Sequence, residues 1–115
     1  MDNALYERPS KENVSVRDVL VQKMEGQARY LNVIDKTDKS IIALSQDQNF
    51  RCLYPFQHLN QAIIVKEDDS ILVGEAVDKT LLEEVVKRVE VSHLIKRAHY
   101  EIDLIQQENL TGYPY

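Results

Sequence analysis

From Asp78 to Thr111 the chain contains neither proline nor glycine, and the next helix-stopping residues are Gly112 and Pro114. Proline removes an amide hydrogen from the helix ladder and glycine adds an entropic cost, so a run this long without either points to one long helix. Thr80-Leu81-Leu82-Glu83 has the form of a capping box, the Thr80 hydroxyl accepting from the Glu83 amide while the Glu83 carboxylate reaches back to Thr80. A helix is therefore expected over residues 81–109, inside a helical segment 78–109. At 1.5 Å per residue it spans about 43 Å. That exceeds the diameter of about 35 Å expected for a domain of this size.

The apolar residues of this helix fall in two registers. Leu82, Val85, Val86 and Val89 form one stripe. Val91, Leu94, Ile95, Ala98, Ile102 and Ile105 form another, stepping by four and three residues as in a heptad seam. Between Val89 and Val91 the pattern slips by two positions, which predicts either a kink near Glu90–Ser92 or two halves that face different partners. The expected division of labour is that Leu82–Val89 pins the helix to its own sheet, leaving Val91–Ile105 to meet another chain or to fold back.

Everything before the helix reads as β structure, with one ambiguous stretch. In residues 14–25, Ser15 with Asp18 resembles a helix start, whereas Val14, Val16, Val19 and Val21 favour a strand. The cap pattern tilts the expectation to a short helix ending at Gly26. Strands are expected at Ala28–Ile34, Ser40–Leu44, Phe50–Tyr54, Gln61–Val65 and Ile71–Val73, separated by polar turns at 35–39, 45–49 and 66–70. Phe56-Gln57-His58-Leu59 is expected to make a single helical turn. The fold class is thus α+β: a small antiparallel β-meander or barrel of about five short strands, then the long C-terminal helix. The order of several strands, a turn after Tyr54-Pro55 and a further strand resembles, in architecture alone, a small SH3-type or Sm-type barrel. The expected organisation is a flexible arm at 1–13, one domain at 14–109 (14–77 mainly β) and a flexible tail at 110–115.

Bulk properties narrow the function classes. A chain of 115 residues has room for one core, and 43% hydrophobic with 29% charged residues argues against global disorder. The net charge of −5 disfavours a phosphate-backbone partner. A lone cysteine, Cys52, excludes an internal disulfide and suits a reducing compartment. With no signal-peptide pattern and no apolar run near 18 residues, a cytoplasmic location without membrane contact is expected.

Motifs with chemical potential are sparse. Glu90-Val91-Ser92-His93 places a carboxylate and an imidazole on one helix face, as in carboxylate-bridged di-metal sites, but these need a second such pair on a facing helix. His99 and Asp103 stand four residues apart and suit a surface pair. Cys52 with His58 invites a nucleophile–base reading, although neither an orienting third group nor a cause of lowered pKa is evident. No phosphate-cradling glycine loop occurs. Arg29, Tyr30, Arg51, Tyr54 and Phe56 would combine cations with stacking aromatics on a nucleic-acid-binding barrel, the alternative function. Lys87-Arg88 and Lys96-Arg97 are balanced by Glu83, Glu84, Glu90, Glu101 and Asp103, a mixed-charge solvated face. No catalytic residue, metal ligand or cofactor is expected. The leading expectation is a non-catalytic interaction or assembly module whose Val91–Ile105 seam binds a protein partner or a second copy.

Overall fold

Glu25 and Gly26 have φ of 52° and 78°. Two successive left-handed residues make a type I′ turn, whose twist matches that of paired strands. This link joins β1 (Val19–Met24) to β2 (Gln27–Lys36), with Met24 opposite Gln27. The computed structural model describes residues 5–47 and 49–111, and the side chains of these except at 99, 100, 103 and 105–111. After β2 follow β3 (Ser40–Ser45), β4 (Arg51–Pro55), a 3₁₀ helix (Phe56–Gln61), β5 (Ile63–Val65), β6 (Ile71–Val73) and α1 (Lys79–Thr111). The chain divides into two compact units, Met1–Glu83 and Glu84–Tyr115.

All strand pairs are antiparallel, in the order β4-β3-β2-β1-β5-β6. The fold is the expected α+β meander followed by a helix. The sheet is open, with β4 and β6 at its edges, and is not a closed barrel. It has six strands where about five were expected, because residues 19–24 form β1 and not the end of a short helix. The physical reason is local. Asp18 does not start a helix; its carboxylate accepts the Ser15 amide hydrogen at 2.7 Å and the Lys66 ammonium at 2.6 Å. The β-branched Val19 and Val21 then follow in extended backbone, as their side chains prefer.

One face of the curled sheet holds the main core. Leu20, Leu31, Ile64 and Leu72 lie across β1, β2, β5 and β6, and Val33, Ile41, Ala43 and Tyr54 continue the cluster through β2, β3 and β4. Val14, from the stretch before β1, is fully buried in the same cluster. The opposite parity of the short strands, Val21, Ile63 and Val73, is also fully buried, as is Leu82 of the first helical turn. A strand pair buried on both faces reads as a continuous apolar run, which explains the Ala62-Ile63-Ile64-Val65 sequence.

Two bulges bend the sheet. One lies in β2 between Val33 and Asp35, which leaves Ile34 partly exposed. At the other, Val33 accepts from the Arg17 amide at 2.8 Å and donates to the Asp18 carbonyl at 2.8 Å, so two residues oppose one. Arg17 there has φ of 83°, a conformation suited to glycine. Arg17→Gly is expected to raise stability by about 0.5–1 kcal/mol, since relief of left-handed strain outweighs the freedom gained by the unfolded chain. The urea midpoint at constant slope measures it. A fall would mean that the long Arg17–Glu67 contact, 4.0 Å between mostly exposed side chains, outweighs the strain.

The segment before β1 lies along β6. Glu7 and Leu72 form a parallel bridge, the Val73 amide donates to the Glu7 carbonyl at 2.9 Å, and the Arg8 guanidinium donates to the Val73 carbonyl at 2.9 Å. Pro9 is buried. At the other edge, the Ser45 amide donates to the Phe50 carbonyl and the Phe56 amide to the Lys39 carbonyl. By antiparallel alternation, residues 50, 52, 54 and 56 then direct their backbone groups at β3, while those of Arg51 and Leu53 point outward. Pro55 falls on the outward parity, where a missing amide hydrogen breaks no ladder bond.

The helix starts two residues before the expected capping box. The Leu81 amide donates to the Asp78 carboxylate at 3.1 Å and the Leu82 amide to the Asp78 carbonyl at 3.2 Å, which makes Asp78 the N-cap. The Lys23 ammonium stands 3.2 Å from the same carboxylate. The Leu81 amide, with Lys23 second, holds the Asp78 carboxyl below the ordinary aspartate range. Its stabilising contribution is therefore present above that range and is lost as pH falls through the lowered value.

Candidate functional site

Beyond Glu83 the helix runs without a break through Glu90–Ser92, so the slip in the apolar pattern is a change of face along one continuous helix. At 100° per residue, Val85, Val86, Val89 and Ser92 fall in one sector, whereas Val91, Leu94, Ile95, Ala98 and Ile102 centre about 150° away. The two groups differ in exposure. Val85 is fully buried and Val86, Val89 and Ser92 are half-buried. Val91, Leu94, Ile95 and Ile102 are 55%, 62%, 52% and 51% exposed, values that place an aliphatic row in water over nearly three turns. Ala98 is exposed in the same row. The sixth residue of the expected seam, Ile105, lies outside the described side chains. Leu104, exposed and off the seam, was not singled out from the spacing.

At the same spacing Glu90, Arg97 and Glu101 fall to one side of this row and Arg88 to the other. Arg97 and Glu101 pair at 3.4 Å across one turn, both well exposed, an arrangement worth only a few tenths of a kcal/mol. Glu90 and His93 are both exposed. Among the described residues no group of three or more His, Cys, Asp or Glu is placed to hold a metal ion. His99 and Asp103, the other pair singled out, lie outside the described side chains.

The remaining candidates lie in the sheet unit. Cys52 sits on the inner face of β4 opposite Ala43 and packs against the core. Burial pushes its thiol up, so it stays protonated where a nucleophile needs the thiolate. His58 meets Tyr54 instead: the phenol donates to the His58 carbonyl at 2.8 Å, with the two rings edge to face at 6.1 Å. Burial, with Cys52 adding to it, pushes the Tyr54 phenol up to about 12.

The expected nucleic-acid reading residues do not converge. Tyr54 is buried and Phe56 packs against the core. Arg29 shares the parity of the inward Leu31, and Arg51 that of the outward Leu53, so the two exposed arginines leave the sheet on opposite faces. Tyr30 is half-buried. Among the described residues, open clefts of about 260 and 230 Å³ lie in the sheet unit. The first is lined by Arg8, Phe56, Asn60 and Gly74, the second by Gln22, Tyr54, Val77 and Asp78. Both fall below the range of about 300–1,000 Å³ usual for small-molecule sites.

Among the described residues no helix is long and apolar enough to cross a membrane. Comparison with protein-family models, curated proteins and solved structures finds no match to this chain.

Proposed function

We propose that this chain is a non-catalytic interaction module that binds a protein through the Val91, Leu94, Ile95, Ala98 and Ile102 face of α1. The observation that carries the reading is the continuous row of half-exposed aliphatic side chains on the helix side opposite Val85, Val86 and Val89. Completing the burial of four such side chains stabilises a complex by roughly 1 kcal/mol each. Aligned apolar groups left in water characteristically mark an interface. The mixed charges beside the row keep the free helix hydrated and supply a polar rim of the kind interfaces use.

The test is affinity isolation of the full chain at native expression level, followed by mass measurement of the intact complex. The wild-type chain is expected in a complex heavier than its own 13.3 kDa. Ile95→Asp combined with Ile102→Asp is expected to return the chain alone, with the circular dichroism of a folded chain. Leu53→Asp, which puts a charge at an equally exposed position on β4, is expected to keep the complex. A wild-type chain that comes through alone, or a double variant that keeps its partner, overturns the reading.

A further inference from the structure

Building on that interface, we infer that the partner is a second copy of this chain and that the two helices pair antiparallel. Charge distribution along α1 carries the choice. By sequence, residues 85–96 hold Lys87, Arg88 and Lys96 against Glu90, three positive less one negative, or +2. Residues 97–108 hold Glu101, Asp103 and Glu108 against Arg97, three negative less one positive, or −2. Parallel alignment of two such helices sets +2 beside +2 and −2 beside −2. Antiparallel alignment sets each basic half beside the other copy's acidic half, so the field that opposes one arrangement favours the other.

The apolar spacing fits the same arrangement. In heptad positions Val91 and Ala98 are d, and Ile95 and Ile102 are a. Antiparallel seams stack a against d, which here gives Val91 against Ile102 and Ile95 against Ala98, each layer occurring twice about a two-fold axis between residues 96 and 97. Both layers thus combine a larger isoleucine with a smaller residue, which lets two helices approach at even separation along the seam. A two-fold contact of this kind is self-complementary and closes at two copies.

Single cysteines in the full chain, in a Cys52→Ser background, test the arrangement. Val91→Cys and Ile102→Cys are oxidised separately and as a mixture. In the antiparallel pair, Val91 of one copy adjoins Ile102 of the other, whereas the two Val91 positions stand about 16 Å apart along the axis. That is beyond the reach of a disulfide, which needs Cα atoms within about 7 Å. The expected result is a mixed disulfide from the mixture and no homodimeric disulfide from either variant alone. Sedimentation of the wild-type chain is expected to give twice the single-chain mass at low salt and to shift towards the monomer in 1 M sodium chloride. Homodisulfides from each variant mean parallel pairing and overturn the inference. A wild-type dimer with no cross-link at either position overturns it too, because the contact then lies elsewhere. A strict monomer whose helix face still binds a different polypeptide removes the self-pairing and leaves the interface reading standing.

Discussion

Asp18→Ala is expected to lose about 3–4 kcal/mol, a large part of the roughly 5–15 kcal/mol that separates folded from unfolded states in a chain of this size. Asp18 is 2% exposed, and its carboxylate holds the Lys66 ammonium at 2.6 Å and the Ser15 amide at 2.7 Å. Lys66 also donates to the Asn13 carbonyl at 2.6 Å. Deleting the carboxylate leaves a largely buried ammonium with reduced compensation, and the loss of that balance costs more than the pair itself is worth. Lys66→Met is expected to be as harmful, since it strands the carboxylate. The double variant Asp18→Ala with Lys66→Met is expected to recover a large part of the loss, because neither charge is then left alone. Urea unfolding of the two single variants and the double variant measures the coupling. Additive losses would mean that the two groups act independently.

Gly74→Ala is expected to cost about 3 kcal/mol. A β-carbon on Gly74 would lie on the Asn60 carbonyl group and the Leu59 carbonyl oxygen, well inside van der Waals contact. These are backbone atoms of the 3₁₀ helix and cannot swing aside. The Gly74 amide donates to the Ala62 carbonyl at 2.9 Å and the Ala76 amide to the Asn60 carbonyl at 2.8 Å, so the two segments are tied at the point of collision. Gly26→Ala is the informative contrast. Nothing lies within 4 Å of a β-carbon there, so that variant bears only left-handed strain, about 1 kcal/mol. Thermal melts of the two variants rank them. Equal losses would show that the 3₁₀ helix yields readily at Gly74.

The parts of the fold that were legible are those whose signal is local. The polar turns expected at 35–39 and 66–70 fall where β2 passes into β3 and β5 into β6, and Tyr54-Pro55 stands where an edge strand ends. What misled was chemistry that serves two structures equally. Asp18 and Ser15 read as a helix cap, yet the same carboxylate–amide bond closes a turn, and its second partner, Lys66, lies 48 residues away. Asp78 and Thr80 are both good caps; Asp78 takes the role and is also held by Lys23, 55 residues earlier in the chain. Gly74 gave no warning, since close backbone approach leaves no periodicity behind. The helix face was visible as a slip in apolar spacing, because side-chain direction follows from residue number alone once a helix is unbroken. Its exposure was not, for that depends on what the other stripe meets.

The two edges of the sheet are unlike, and this bears on edge-to-edge association between copies. Strand-by-strand growth without end needs a donor edge and an acceptor edge on each molecule, so that every addition regenerates the site for the next. Here Glu7 and Arg8 already occupy backbone groups along β6. The other edge offers outward groups at Arg51 and Leu53, then meets the proline ring of residue 55. A molecule added there finds no matching edge on its far side, and the sequence of additions stops. The strap along β6 thus acts as a chain terminator, and a truncated protein lacking residues 1–8 would regain the second edge that propagation requires.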